Sequence, residues 1–218
     1  PQIVLQLKMQ QNEKGRNKVE AMISNYKKME LDCLVVLGGN GSLKSANMLA
    51  QEGLNVIGLP KTIDNDTWGT DYTFGFQSAV DIATNYLNEI ETTAKSHSRV
   101  FVVEIMGHKV GHICLQAGIA AGVDAILLPE IPYDINKAVD KINERRAKGK
   151  EFSIVVVAEG AAPKGGEITV ASQRNNGAGV DNNKLGGVGQ VVAKQLEQLT
   201  GLEARNTTLG YMQRGGTP

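Results

Sequence analysis

Short runs of aliphatic and β-branched residues alternate along the chain with longer stretches whose apolar positions recur at spacings of three and four. The short runs predict strands at 3–7, 33–37, 56–59, 100–105, 125–128, 152–158 and 206–209. Most are continuously apolar, the pattern of a strand buried on both faces in a parallel sheet under helices. Phe76, Val80, Ala83, Leu87 and Ile90 fall on one helical face. Similar faces predict helices over 18–29, 43–51, 109–121, 135–147 and 188–199. The alternation implies right-handed βαβ crossovers and an α/β fold, doubly wound, with mostly parallel sheets and flanking helices. The stretch 161–185, rich in Gly, Asn and Lys, breaks the pattern and predicts a surface loop or a link between two lobes. A doubly wound domain usually opens with a strand and a Gly-rich turn. The first residues show no such unit, so the expectation is a fragment.

The 218 residues suffice for one large α/β domain or two small ones. Lys plus Arg number 23 and Asp plus Glu 23, a balance that argues against bulk binding to nucleic acid or an anionic membrane. No apolar run approaches the ~18 residues that span a bilayer, and no charged-then-apolar leader is seen. Cys33 and Cys114 sit in apolar runs without a CxxC partner and read as reduced core thiols of a cytosolic protein.

Glycine, with 25 copies in short clusters, points to the chemistry. The second predicted strand runs into Gly38-Gly39-Asn40-Gly41-Ser42 and then a helix. Strand, glycine turn and helix expose backbone N–H groups to an anion, with Ser42 the expected N-cap. The alternative is a tight βα turn without a ligand. After the third strand comes Pro60-Lys61-Thr62-Ile63-Asp64-Asn65-Asp66, beyond the carboxyl end of a strand, where α/β sheets place ligands. In an extended segment Asp64 and Asp66 share one side with Thr62, and Lys61 faces the other unless the loop turns. Two carboxylates and a hydroxyl beside a phosphate site suit proton abstraction from an attacking alcohol. An Asx-rich turn is the alternative.

GGNGS, PKTIDND, SHSRVFVVEIMGH, VAEGA and ARNTTLGYMQRGG, in that order, resemble the phosphofructokinase family from about Asp32 to Gly216. NAD and diacylglycerol kinases share a GG-Asp-Gly turn but lack TIDND together with QRGG. The resemblance implies two lobes. A donor-binding lobe over 1–105 lacks its first βαβ unit, and a sugar-phosphate lobe over 106–218 is truncated at its C-terminus. It implies cytoplasmic, glycolytic transfer of a phosphoryl group from ATP to the 1-hydroxyl of fructose 6-phosphate, with Mg²⁺, by a homotetramer or dimer. Pyrophosphate as donor and a non-catalytic, sugar-phosphate-binding regulatory homologue are the other readings.

By resemblance, Asp64 is the general base. A loose phosphoryl-transfer transition state asks little of it, so an ordinary carboxylate suffices. Thr62 bonds the transferring phosphoryl group, and Asp66 supports Asp64 or a metal-bound water. His108 stands where many members have an Arg on the transferring phosphate; its imidazole serves only when protonated. Gly38, Gly39, Asn40, Gly41, Ser42 and Lys61 hold the donor. Asn40 replaces the family's metal-holding Asp and offers a neutral oxygen only. The sugar phosphate falls to Thr62, Ile63, Asp64, Arg99, Met106, Gly107, His108, Glu159, Arg205, Tyr211 and Arg214, with Arg99 and Arg205 reaching in from a neighbouring subunit. Tyr211 stands where His is frequent. Lys61 resembles the pyrophosphate branch, whereas Gly41 leaves room for ATP, and ATP is favoured. Asn40 and His108 motivate the non-catalytic reading; retention of Thr62, Asp64 and Asp66 argues against it. Lys148, Lys150 and Asp124 match the positions of an allosteric effector site, although Glu91 stands where that site has Arg. A plain helix C-terminus ranks first for Lys148-Gly149-Lys150.

Overall fold

The structure, a computed structural model, describes residues 17–172 and 184–217. The strand expected at 3–7 lies outside them. By packing, the described residues divide into two units, 17–62 with 67–74, and 63–66 with 75–172 and 184–217. This is a division by packing; the functional division expected at 105/106 is a separate matter.

The first unit opens with α1 (Lys18–Lys28), whose N-cap Asn17 accepts from the N–H groups of Val19 and Glu20 at 3.0 and 3.3 Å. Strand β1 (Leu34–Gly38) leads into α2 (Asn40–Gln51), and β2 (Val56–Pro60) pairs in parallel with β1 from Leu34↔Val56 to Gly38↔Pro60. Val35, Leu37 and Ile57 are about half exposed, so these strands are not buried on both faces as their apolar runs predict. Cys33, just before β1, is only partly buried, whereas the expectation placed it in a core.

The second unit contains α3 (Phe76–His97), β3 (Val100–Ile105), α4 (His112–Ala120), β4 (Ala125–Leu127), α5 (Ile135–Ala147), β5 (Ser153–Ala158), β6 (Val170–Ser172), β7 (Lys184–Leu185), α6 (Val188–Thr200) and β8 (Ala204–Thr208). A 3₁₀ turn, Gly210–Arg214, follows. Its main sheet is wholly parallel, in the order β4-β5-β3-β8. Alternate residues of β3 and β5 feed two cores. Val103, Ile105, Ile154, Val156 and Ala158 pack with Phe76, Val80 and Leu87 of α3 and Ile113, Cys114 and Ala117 of α4. Val100, Val102, Val155 and Val157 pack with Ala138 and Ile142 of α5 and Val188, Val192 and Leu196 of α6. Helices on both faces make this sheet doubly wound, and here the continuous apolar runs are buried on both sides as the pattern predicts.

Several boundaries differ from expectation: the helix expected at 43–51 starts at Asn40, and the strand expected at 206–209 is Ala204–Thr208. α4 starts at His112 and not at 109, because Val110 N–H closes a turn onto Gly107 O at 3.0 Å and Gly111 is the N-cap. The stretch 161–185 is not all loop: β6 and β7 pair antiparallel at its two ends, Val170 opposite Leu185. α6 starts at Val188 as expected, and its N-cap Gly187, φ +90°, lies against a side chain that the pattern did not single out. Glu104, 3 % exposed in β3, accepts from Gly187 N–H at 3.0 Å and Gly189 N–H at 2.8 Å. A buried carboxylate on a helix N-terminus satisfies amides that have no intrahelical partner.

Candidate active site

In the first unit β1 passes into α2 without a loop. Gly39, at φ −80° and ψ −168°, is the N-cap, and no side chain caps the helix there. Ser42, expected as the cap, lies inside the first turn. The reason is steric: a Cβ at Gly38 would overlap Ser42, so glycine there lets the helix start directly on the strand. A twelve-residue helix that opens uncapped keeps its leading dipole and N–H groups for an anion. Thr62 adjoins this turn, since a Cβ at Gly39 would lie 3.7 Å from the Thr62 Cβ. Lys61 N–H donates to Gly38 O at 2.9 Å, and Thr73, 4 % exposed, donates its hydroxyl to Thr62 O at 2.7 Å. A Cβ at Gly41 would meet nothing within 4 Å, so no side chain crowds that position. Asn40 opens α2 with a neutral amide.

In the second unit, the segment 63–66 is not extended. It bends at Ile63 and Asp64, and Asn65 takes the left-handed conformation at φ +54°. The period-two argument that set Asp64 and Asp66 on one side therefore has no extended strand to act on. Asp64 is half-buried and Asp66 exposed. His112 Nδ1 lies 3.2 Å from the Asp64 carbonyl oxygen and donates to it in the tautomer that protonates Nδ1. This anchors the segment on the first residue of α4.

Beyond the carboxyl end of β3, three successive amides are held by side chains. Met106 N–H donates to Gln213 Oε1 at 3.2 Å. Gly107 and His108 N–H donate to Glu159 Oε1 at 3.2 and 2.7 Å. Gly107, φ +154°, has no room for a Cβ against Val110 O, and His108 sits at φ +53°. Glu159 is half-buried; its Oε1 is taken up by the loop, and Oε2 accepts no hydrogen bond from the described residues. The turn that contributes Gln213 also presents Tyr211, 69 % exposed, with the Arg214 guanidinium 5.5 Å from its ring centre. Met106, Gly107, His108, Glu159, Tyr211 and Arg214 thus gather at one end of the parallel sheet.

Arg99 and Arg205 do not join them. They flank the amino ends of β3 and β8, where Phe101 pairs with Arg205. At ~3.3 Å per residue, the length of β3 sets them about 20 Å from the Met106 end. Both pair with Glu203; Arg99 Nε lies 2.6 Å from Glu203 Oε2. The Arg99 hydrogen bond and the Arg205 charge hold the Glu203 carboxyl below its ordinary range.

At the end of α5, Lys148 bonds Glu144 at 2.6 Å and Lys141 bonds it at 2.9 Å, lowering the Glu144 pKa to about 2. Gly149, φ +78°, follows the Lys148 C-cap. Burial pushes the Asp124 carboxyl up, against the Ile154 N–H and the Arg145 guanidinium that bind it at 2.9 and 2.7 Å. Asp124, Lys148 and Lys150 line one cavity of about 200 Å³. Among the described residues no group of three or more His, Cys, Asp or Glu side chains is placed to hold a metal ion, and no helix is long and apolar enough to cross a membrane.

Gln213, His112 and Thr73 were not singled out from sequence. Gln213 lies in the quoted QRGG string; the other two hold backbone carbonyls, and no local pattern marks that task.

The fold and its loops define a doubly wound α/β protein with polar loops gathered at the carboxyl end of its main sheet and an uncapped helix after a glycine turn. The chain belongs to the phosphofructokinase family, whose model, described as Phosphofructokinase, matches residues 3–218. A Spirochaeta thermophila protein named ATP-dependent 6-phosphofructokinase is 56% identical over 207 residues, 95% of this chain and 56% of that one. One from Clostridium perfringens, named ATP-dependent 6-phosphofructokinase 2, is 51% identical over 195 residues, 89% of this chain and 53% of that one. The solved phosphofructokinase of Saccharomyces cerevisiae matches with a TM-score of 0.78 at 32% identity, over 92% of this chain and 28% of that one. A pyrophosphate-dependent phosphofructokinase from Marinobacter aquaeolei matches with a TM-score of 0.71 at 25% identity, over 90% of this chain and 49% of that one. The chain spans about half the length of the curated relatives it matches.

Proposed function

We propose that this chain supplies the phosphoryl-transfer machinery of an ATP-dependent 6-phosphofructokinase. The observation that carries the reading is the uncapped start of α2 set against Thr62, two residues along the chain from Asp64. The donor is assigned to residues of the first unit: Gly38, Gly39, Asn40, Gly41, Ser42, Lys61 and Thr62. The sugar phosphate is assigned to residues of the second: Ile63, Asp64, Met106, Gly107, His108, Glu159, Tyr211 and Arg214. The two assignments meet along the chain at Thr62–Asp64.

Asp64 accepts the proton of the fructose 6-phosphate 1-hydroxyl as that oxygen bonds the γ-phosphorus. The bond from the γ-phosphorus to the bridging oxygen breaks, and ADP leaves with the electron pair. Thr62 donates to the transferring group, and Asp66 supports Asp64. Arg214 and protonated His108 offset the anionic charge of the sugar phosphate. Glu159 offers Oε2 to a sugar hydroxyl while its other oxygen holds the loop. The described residues do not form a metal cage, and the neutral amide of Asn40 adds no charge, so Mg²⁺ is assigned to the donor phosphates and routed through no protein step. Arg99 and Arg205, at the far end of the sheet, are assigned to the sugar-phosphate site of a second copy in a homotetramer or dimer. The place of action is the cytoplasm.

The uncrowded position of Gly41 and the printed names of the relatives favour ATP. Lys61 is the feature that favours pyrophosphate. A coupled assay of the full-length polypeptide with each donor separates the two: product with ATP and none with pyrophosphate is expected, and the reverse contradicts the assignment.

A further inference from the structure

We propose that Gln213 is a positioning residue that clamps the Met106–Gly107–His108 loop to the Gly210–Arg214 turn, so that both present their side chains to one sugar phosphate. The proposal rests on the reading of the function given above. Gln213 is 1 % exposed although it lies in a short, largely exposed turn. Its amide works in both directions. Oε1 accepts from Met106 N–H at 3.2 Å, and Nε2 donates to Gly210 O at 3.0 Å. A carboxylate at this position could only accept, and a thioether of similar volume could do neither well. A short 3₁₀ segment has poor internal hydrogen-bond geometry and needs an outside hold. This one is tied internally by Met212 N–H to Leu209 O at 3.3 Å and Gly215 N–H to Met212 O at 3.0 Å.

The loop on the other side of the clamp needs the same help. Gly107 at φ +154° and His108 at φ +53° occupy conformations that persist only where the surroundings over-determine them. Glu159 fixes two of the three amides, and Gln213 fixes the third and joins the loop to the turn with Tyr211 and Arg214. The strands below are already joined, with Leu209 N–H on Glu104 O at 3.1 Å, so without the clamp only the segments beyond that bond lose their mutual spacing. The donor residues belong to the other unit, so the effect falls on the sugar phosphate alone.

The test compares the full-length polypeptide with Gln213→Met and Gln213→Glu, reading KM for each substrate and amide hydrogen exchange at Met106. Gln213→Met is expected to raise KM for fructose 6-phosphate about tenfold, the size of one hydrogen-bonded anchor. KM for ATP is expected to stay within about twofold, with Met106 exchange accelerated. Gln213→Glu keeps the acceptor for Met106 and loses the bond to Gly210; it should retain Met106 protection, with sugar KM raised about threefold. If Gln213→Met does not fold, Gln213→Glu alone decides. A sugar KM unchanged in Gln213→Glu, or a KM for ATP that rises in step, overturns the clamp. An unsubstituted protein that turns over no fructose 6-phosphate refutes the proposed reaction, and Met106 exchange then decides the clamp: protection lost in Gln213→Met supports it, and a Met106 amide unprotected from the outset overturns it.

Discussion

At the scale of single residues, Asp64 is the proposed base, and His112 beside it holds its backbone carbonyl. Asp64→Ser keeps a small polar side chain and removes the base. The expected loss in kcat is about 10²–10⁴-fold, the range for a positioned general base, with fructose 6-phosphate binding within a few-fold of the unsubstituted protein. Stopped-assay kinetics together with equilibrium binding measure both. The cysteines differ in the same local terms. Burial, with a smaller contribution from the charge of Glu130, pushes the Cys114 thiol up, and it sits in the core beside α3. Iodoacetamide at pH 8 should label Cys33 in the folded protein and Cys114 only in denaturant; mass spectrometry of Cys114 labelled in the native state would contradict this. The TIDND segment stood out by its place beyond a strand, after a glycine turn on the preceding strand, and by its resemblance to a family motif. The direction of its carboxylates was not, because one left-handed residue, Asn65, undoes an argument built on extended alternation. Gln213 was illegible as a clamp for another reason: its partner Met106 is distant in the sequence, and only the fold joins them.

At the scale of elements, buried strands and long amphipathic helices could be read, β3 and α5 to the residue at 100–105 and 135–147, whereas other ends moved by a few residues. β3 and β5 matched their apolar runs because both faces are covered. The same reading failed for β1 and β2, where Val35, Leu37 and Ile57 stay half exposed. Two helix starts are held by carboxylates distant in the chain, whereas Asn17 and Asp134 cap α1 and α5 locally. α6 is capped by Glu104 of β3, and α4 has Gly111 N–H on Glu130 Oε1 at 2.8 Å. Glu104→Gln keeps the shape but turns an NH₂ toward donors; it is expected to cost about 1–3 kcal/mol, because buried amides lose their acceptor. Denaturant unfolding measures it. The end of α5 supplies a pH dependence. Glu144, hydrogen-bonded first by Lys148 and then by Lys141, titrates at about 2 in the fold, below the ordinary 4.5. A depressed carboxylate contributes stability above its ordinary pKa and loses it as pH falls from about 4.5 to about 2. Glu144→Gln should therefore flatten the acid limb of Tm against pH in that window, and an identical acid limb in the variant would contradict the pairing.

At the scale of the whole molecule, the parallel sheet of the second unit separates two sets of arginines. Arg214 belongs with the loops at its carboxyl end, whereas Arg99 and Arg205 share Glu203 at its amino end. In the function proposed above, the second set serves a neighbouring copy. A mixture of full-length Asp64→Ser and Arg205→Ala subunits, dissociated and reassembled, should regain activity that neither variant has alone, because some hybrid sites combine an intact Asp64 with an intact Arg205. No recovery would contradict sharing. The most direct test of the central claim, that Asp64 is the base for phosphoryl transfer to a sugar alcohol, is initial-rate measurement with Mg-ATP and fructose 6-phosphate. The full-length polypeptide and its Asp64→Ser variant are assayed side by side. Turnover in the first and a fall of at least about a hundredfold in the second are expected; equal turnover in the two would contradict the claim.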